Sequence, residues 1–288
     1  MNPKISIIIV NWRVRKLLEQ CLRSIYNQAI PGELEVIVVD NDSHDSCSEM
    51  LMVDWPQVRM IALAKNKGFA YANNLGIKIA NGKLIILLNP DTIVGENFFT
   101  ECQKYMEANP NVGIVGPKLL NKDGSIQASV RRFPDWRSQV HILLKLKNIY
   151  SQEKYLKRYL CSDFDYCCES AVEQIMGAVM IIRRSVFDKI GLLDQKYFIW
   201  FEEVDFCQRA RQHGLVTKYV PKFSVTHLGG ASFEQASTLA KQLMFNRSLL
   251  RYFFKHRPLW QGLVLMIIIP VNLVLTLGYG VYLRIRKK

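Results

Sequence analysis

The chain has 288 residues, of which 49% are hydrophobic and 22% charged, and its formal net charge is +13 at pH 7. That length suits one large domain with an appendage, and the composition excludes a disordered chain. The charge is not a nucleic-acid footprint: +8 of it lies from Arg247 onward, where no Asp or Glu occurs, so the first 246 residues carry only +5. Basic residues flanking an apolar stretch suit an anionic membrane surface. Seven cysteines with no CxxC give no support to a disulfide framework or metal cluster and fit reduced thiols in a cytosolic compartment.

Residues 4–11 open the chain as a strand, since the apolar run is too short and wrongly flanked for a signal peptide. An amphipathic helix follows over 16–27, then a strand over 34–40 and a loop with Asp42, Ser43 and Asp45. A short strand at 58–62, a helix at 69–80, the buried strand KLIILL at 83–88, a helix at 96–109 and a strand at 112–120 continue the alternation. Such alternation predicts an α/β protein with a doubly wound, mostly parallel sheet and helices on both faces. Residues 131–170 read as an insertion, with a basic amphipathic helix around 139–160. The sheet resumes at 174–182, where Gly177 implies close backbone approach. A helix near 203–213, a strand at 216–220 and a long helix from about Glu234 to His256 complete this part.

Ligands of open α/β sheets bind at the carboxyl ends of the strands. Here those ends carry Asn11 and Trp12, then Asp40, Asn41, Asp42 and Ser43, then Asn89, Pro90 and Asp91. A carboxylate after each of two buried strands is a site pattern, because an unpaired buried charge costs several kcal/mol. Either carboxylate alone is equally well explained as a turn or helix cap.

The ordered segments ISIIIVNW, VIVVDNDS, NKGFAYANNLGI, LIILLNPD and FIWFEEVDFCQRA resemble family 2 glycosyltransferases of the GT-A fold, in the rhamnosyltransferase-like branch. The resemblance covers roughly residues 4–230. It implies that Asn11 and Asp40, with Asn41 beside them, hold the nucleobase. Asn66, Lys67, Gly68 and Asn74 match the segment that approaches the nucleotide, Gly68 allowing close backbone approach and the following helix offering its N-terminus to phosphate. Asn89-Pro90-Asp91 stands where the family has its DxD metal motif, with Asn in place of the first Asp. Asp91 is then the main protein anchor for Mg²⁺ or Mn²⁺, bound weakly or only with the diphosphate. His227, in Thr226-His227-Leu228-Gly229-Gly230, matches a histidine by the metal or diphosphate. Glu203 matches the general base, where most relatives have Asp, and Glu202 is its neighbour. Adjacent helical residues lie about 100° apart, so the two cannot both face one pocket. Asp205 reads as helix N-terminal charge. Arg131, Arg132 and Arg247 could neutralise phosphate or a lipid-linked diphosphate, although surface solvation is the default for each.

Residues 259–283 lack any charged side chain and are long enough to cross ~30 Å of hydrocarbon. Basic residues on both flanks give no orientation, and Pro270 suggests a broken or re-entrant helix with both ends cytoplasmic. The expected division is a catalytic domain over 1–246, with a nucleotide-binding half to about 120, and a membrane-attachment segment over 247–288. The expected activity is inverting transfer of a sugar, rhamnose from dTDP-rhamnose first, to a lipid-linked glycan at the cytoplasmic face of a bacterial inner membrane. The alternatives are a UDP-hexose or UDP-N-acetylhexosamine transferase and a non-catalytic basic membrane module. Nucleic acid is not an expected partner.

Overall fold

The computed structural model describes residues 3–28, 32–146, 154–229 and 238–286, with side chains to 278. Strand β1 (Ile5–Asn11) pairs in parallel with β2 (Leu34–Asp40) and β4 (Leu84–Leu88), and β2 with β3 (Arg59–Ala62). Beyond β4 lies β10 (Val179–Arg183), antiparallel to β4 and to β6 (Val112–Leu120). β11 (Val216–His227) runs parallel to β6, with antiparallel β5 (Thr92–Val94) along its end. The order is β3-β2-β1-β4-β10-β6-β11-β5, with β8 (Ser170–Ala171) also on β11. A separate ribbon pairs β7 (Val130–Arg131) with β9 (Gln174–Ile175).

Strand side chains alternate between two cores, as the period of two requires. Ile7, Ile9, Val38 and Ile86 pack with Leu18, Leu22 and Ile25 of α1 (Arg15–Tyr26), with Met50 of α2 (Cys47–Asp54) and with Phe98 of α4 (Phe98–Ala108). Ile8, Ile37, Ile85 and Leu87 face the other core. There they meet Ala70 and Ile77 of α3 (Phe69–Ile79) and Phe206 of α8 (Glu202–Gln212). Two helices, α5 (Trp136–Leu143) and α6 (Lys154–Leu160), stand where one was expected over 139–160; residues 147–153 lie outside the described residues. The expected strand at 174–182 is split at Gly177 into β9 and β10, and β10 leads into α7 (Arg184–Ile190).

At the C-terminus, α9 (Thr238–His256) and α10 (Leu259–Arg286) form a hairpin whose bare Gly262 receives the Phe254 ring. The expected start at Glu234 and the tail after 286 lie outside the described residues. The expected break at Pro270 is corrected: α10 is continuous through it. Pro removes one helical hydrogen bond, but protein contacts hold α10 on both sides of Pro270. Leu265 is buried, and Asn272 donates to the Leu143 carbonyl (2.7 Å) and accepts from Asn246 (3.0 Å). The opposite face is apolar and exposed at Leu259, Leu263, Ile267, Val271 and Val274. Residues Leu259–Gly278 have a mean hydropathy of 2.0 and are long and apolar enough to cross a membrane. Leu249, Tyr252 and Phe253 of α9 sit in the same core as Phe206, so the helix containing position 246 packs by its inner face into the α/β body.

Asp205 of α8 locks this arrangement. Its fully buried carboxylate takes hydrogen bonds from His256 (2.7 Å) and Arg209 (2.9 Å) and pairs with Lys255 (2.6 Å). Burial alone would raise its pKa; His256, Lys255 and Arg209 instead hold it down at about 2. A depressed carboxylate adds stability above its unfolded pKa that is lost as pH falls through the folded one. Asp205→Asn is therefore expected to lower stability at neutral pH by about 2 kcal/mol. Melts in detergent should show this difference closing between about pH 4 and pH 2.

Candidate active site

Parallel pairing in register aligns the carboxyl ends of β2, β1 and β4: Asn11 faces Asp40, and Ile9 faces Leu88. Asp40 and the turn after β4 therefore lie on one sheet edge, two inter-strand steps or about 10 Å apart. Buried Asn11 donates to Asp40 Oδ1 (3.1 Å) and to Ser43 Oγ (2.9 Å). The Ser43 amide reaches Asp40 Oδ2 only at 3.5 Å, so this oxygen is the weakly satisfied one. Asn41 ties the next loop down, accepting from the Lys67 amide and donating to Asn66 Oδ1 and the Gly68 carbonyl. Asn66 Oδ1 also accepts the Gly68 amide.

Asp91 follows Asn89-Pro90 and is 5% exposed. Short β5, unforeseen in the sequence, pairs Thr92 with His227 at the end of β11, and the Leu228 amide donates to the Asp91 carbonyl. His227 Nε2 consequently stands 3.4 Å from Asp91 Oδ1. Gln127 fixes the imidazole: its amide nitrogen donates to Asn121 Oδ1 and the His227 carbonyl, so its Oε1 accepts from His227 Nδ1 at 2.7 Å. With Nδ1 held on Gln127, the ring turns Nε2 towards Asp91, the orientation a metal ligand needs. A carboxylate and an oriented imidazole leave room for diphosphate oxygens and water, a donor set that fits Mn²⁺ or Mg²⁺. Gln127 lies in an irregular turn with no motif to mark it.

A second acidic cluster, Asp40, Asp45 and Cys47, brings ligand atoms within 4.8 Å. It fits a cation poorly. Asp45 is committed to the amides of Arg15 and Cys47, and burial pushes the Cys47 thiol up to about 12, so it is no thiolate.

β10 supplies the link to Glu203. The Asn89 amide donates to the Ala178 carbonyl (2.9 Å), and a Cβ added to Gly177 would sit 3.5 Å from Cβ and Cγ of Glu203. The turn bearing Asp91 and the start of α8 thus meet across Gly177-Ala178. Trp200 (φ 62°) and Phe201 (φ 69°) precede α8 in the left-handed region, a strained conformation for two aromatic residues. Glu202 and Glu203 each keep one buried carboxylate oxygen without a hydrogen-bond partner. Burial pushes Glu203 up to about 7 against backbone hydrogen bonds at the helix start. Burial, then the Glu203 charge, raises Glu202 well above the usual carboxylate range. Loss of solvent thus holds both acids above the usual carboxylate range, and the pair is poised to exchange a proton near neutral pH.

Other expected site residues have different surroundings. Both ends of the Asn74 amide are taken by the Leu193 backbone (2.8 and 3.1 Å). Gly68 (φ +89°) does permit a close approach, but of the Phe198 backbone: an added Cβ would lie 2.4 Å from the Phe198 carbonyl oxygen. That oxygen accepts the Phe69 amide (2.7 Å), occupying the first donor of α3. The Lys67 ammonium lies over the Tyr71 ring. Arg131 caps the Val130 carbonyl, Arg132 pairs with Glu173, and Arg247 is exposed.

The signature of glycosyl transferase family 2 matches residues 6–191. The low-salt glycan biosynthesis hexosyltransferase Agl10 of Haloferax volcanii is 29% identical over 219 residues, 75% of this chain and 64% of that protein. The N-acetylglucosaminyl-diphospho-decaprenol L-rhamnosyltransferase of Mycobacterium tuberculosis is 26% identical over 239 residues, 79% of this chain and 76% of that one. Among solved structures, the mannosyltransferase PcManGT of Pyrobaculum calidifontis, in complex with GDP-Man and Mn²⁺, matches with a TM-score of 0.58. Its identity is 16%, over 98% of this chain and 76% of that one, and it shares the GT-A fold.

Because Phe198 precedes the αL pair, a side chain at Gly68 would push against the loop that delivers Glu203. Gly68→Ala should cost about 1–3 kcal/mol through positive φ and the carbonyl clash. A thermal melt should report that loss, and turnover should fall with it.

Proposed function

Since the chain belongs to glycosyl transferase family 2, we propose that it transfers a sugar from a nucleoside diphosphate with inversion, using Glu203 as base and Asp91 with His227 as metal anchor. One observation carries this reading: the Asp91 turn and Glu203 meet across Gly177-Ala178.

Asp40, held by Asn11, offers Oδ2 to the N3–H of a pyrimidine, which uracil and thymine share. Glu203 takes the proton of the acceptor hydroxyl as that oxygen attacks the anomeric carbon and the diphosphate leaves from the opposite face. A divalent cation at Asp91 and His227 would neutralise charge on the leaving diphosphate. Rhamnose from dTDP-rhamnose is the first choice of donor, supported by the rhamnosyltransferase relative. A UDP-hexose is the second reading, because the Haloferax relative is named a hexosyltransferase. The acceptor is a lipid-linked glycan at the cytoplasmic face of a bacterial membrane, met through the exposed apolar face of α10. A purely structural membrane module would give no role to an imidazole aligned by Gln127 on Asp91.

Glu203→Gln should lower turnover by about 10²–10⁴-fold while the nucleotide still binds. In the wild type, turnover should rise as pH passes through about 7, because the base works ionised and burial has lifted its pKa. A flat profile from pH 5 to 9 would reassign the base. Thermal shift with dTDP or UDP and Mn²⁺ gives a second check. Asp91→Ala should abolish the response, and Gln127→Leu should weaken Mn²⁺ affinity by about 10–100-fold.

A further inference from the structure

Away from the Asp40–Asp91 edge, a cleft of about 460 Å³ opens between α5, α6, α8 and the α9–α10 junction. Its walls carry five arginines: Arg132, Arg137, Arg158, Arg211 and Arg257. Among the described residues two carboxylates line it, and both also serve the backbone. Asp135 caps α5 through the amides of Arg137 and Ser138. Glu173 accepts the Phe133 amide while pairing with Arg132 and Arg211 at 3.3 and 3.2 Å. The remaining cations are arranged rather than loose. Arg137 lies over the Trp136 and Tyr155 rings at 5.1 and 4.7 Å, and Arg257 Nε is buried without a hydrogen-bond partner.

Two features set what such a cleft would hold. First, its rim continues into the apolar face of α10: Arg257 is two residues before the helix, Gln261 lines the cleft, and Trp260 packs edge-on against Trp136. Leu259, Trp260 and Leu263 are exposed beside it. Second, α8 carries Glu203 at one end and Arg211 at the other, eight residues or about 12 Å apart along the axis. Planar guanidinium forks match phosphate oxygens, and a phosphate attached to an alkyl chain would meet both the cations and the apolar rim.

We infer that this arginine cleft binds the diphosphate of the membrane-embedded lipid acceptor, its lipid lying along α10 and its sugar reaching towards Glu203. The inference rests on the transferase reading for its direction, and the donor diphosphate belongs to the separate Asp91 edge. A free phosphate and an anionic headgroup offer similar chemistry, so the test separates all three sources.

The full chain in detergent micelles is titrated with farnesyl diphosphate, followed by fluorescence of Trp136 and Trp260. Saturable binding is expected, weakened in Arg137→Gln/Arg257→Gln by about tenfold for each guanidinium removed. The thermal shift with nucleotide and Mn²⁺ should persist in that variant, reporting an intact fold. Arg158→Gln, on the exposed side of α6, is the second variant should the double one fail to fold, again with about tenfold loss. Asp91→Ala should bind farnesyl diphosphate unchanged; loss there would put the probe in the donor site and overturn the inference while leaving the transferase reading intact. Binding of inorganic pyrophosphate as tight as the farnesyl ester, displacement by phosphatidylglycerol, or wild-type affinity in the arginine variants would each overturn it. A wild type that takes farnesyl diphosphate yet ignores every nucleotide would instead sink the transferase reading and keep the cleft.

Discussion

The chemistry rests on how β4 ends and β10 begins. A parallel sheet delivers its loops to one edge, but in this chain the two acidic centres lie over a hundred residues apart. The antiparallel insertion of β10 closes that gap, because the chain entering it runs past the end of β4 and accepts the Asn89 amide at Ala178. Gly177 just before it faces the first turn of α8, where a Cβ built on it would come to ordinary contact distance, 3.5 Å, from Glu203. β11 then returns beside β6, and its last residue pairs with β5 to set His227 on Asp91. Three separate crossovers thus converge on a short stretch of backbone.

Burial gives neighbouring acids in α8 opposite behaviour. Glu202 and Glu203 lack cationic partners on their buried oxygens, and loss of solvent raises both. Asp205, one turn along, is as deeply buried but meets Arg209, Lys255 and His256, and remains ionised. One helix therefore carries a proton-exchanging end and a charge-locked anchor. The anchor draws in α9, which also holds Asp194 through Arg251 and Lys255. The C-terminal hairpin is thus part of the support of α8, and the face it leaves uncovered is apolar.

The sequence was readable where one physical signal dominated. Buried runs such as IIIV and LIILL have the composition of strands covered on both faces, and the polar residues after them mark the carboxyl edge. The pattern was silent where tertiary pairing decided. Thr92-Ile93-Val94 is too short to announce a strand and exists because β11 pairs with it. The β11 strand itself runs on to His227 through a register shift near Pro221, where the sequence suggests an end. Helix α2 was hidden in a loop of turn formers. Gly68 signalled close approach correctly, but a single chain does not say whether the neighbour is a ligand or, as here, Phe198. Gln127 carries no local mark, because its worth depends on a histidine 100 residues away. Pro270 argued for a break, and lateral packing by Asn272 and Leu265 outweighed it.

Crystals grown with a nucleoside diphosphate and Mn²⁺, and phased on the manganese anomalous signal, test the central claim most directly. The account predicts a single strong peak bonded to Asp91 and His227, with the Glu203 carboxylate lining the same cavity across Gly177. Manganese bound instead among Asp40, Asp45 and Cys47, or a cavity at Asp91 that Glu203 does not enter, would contradict it.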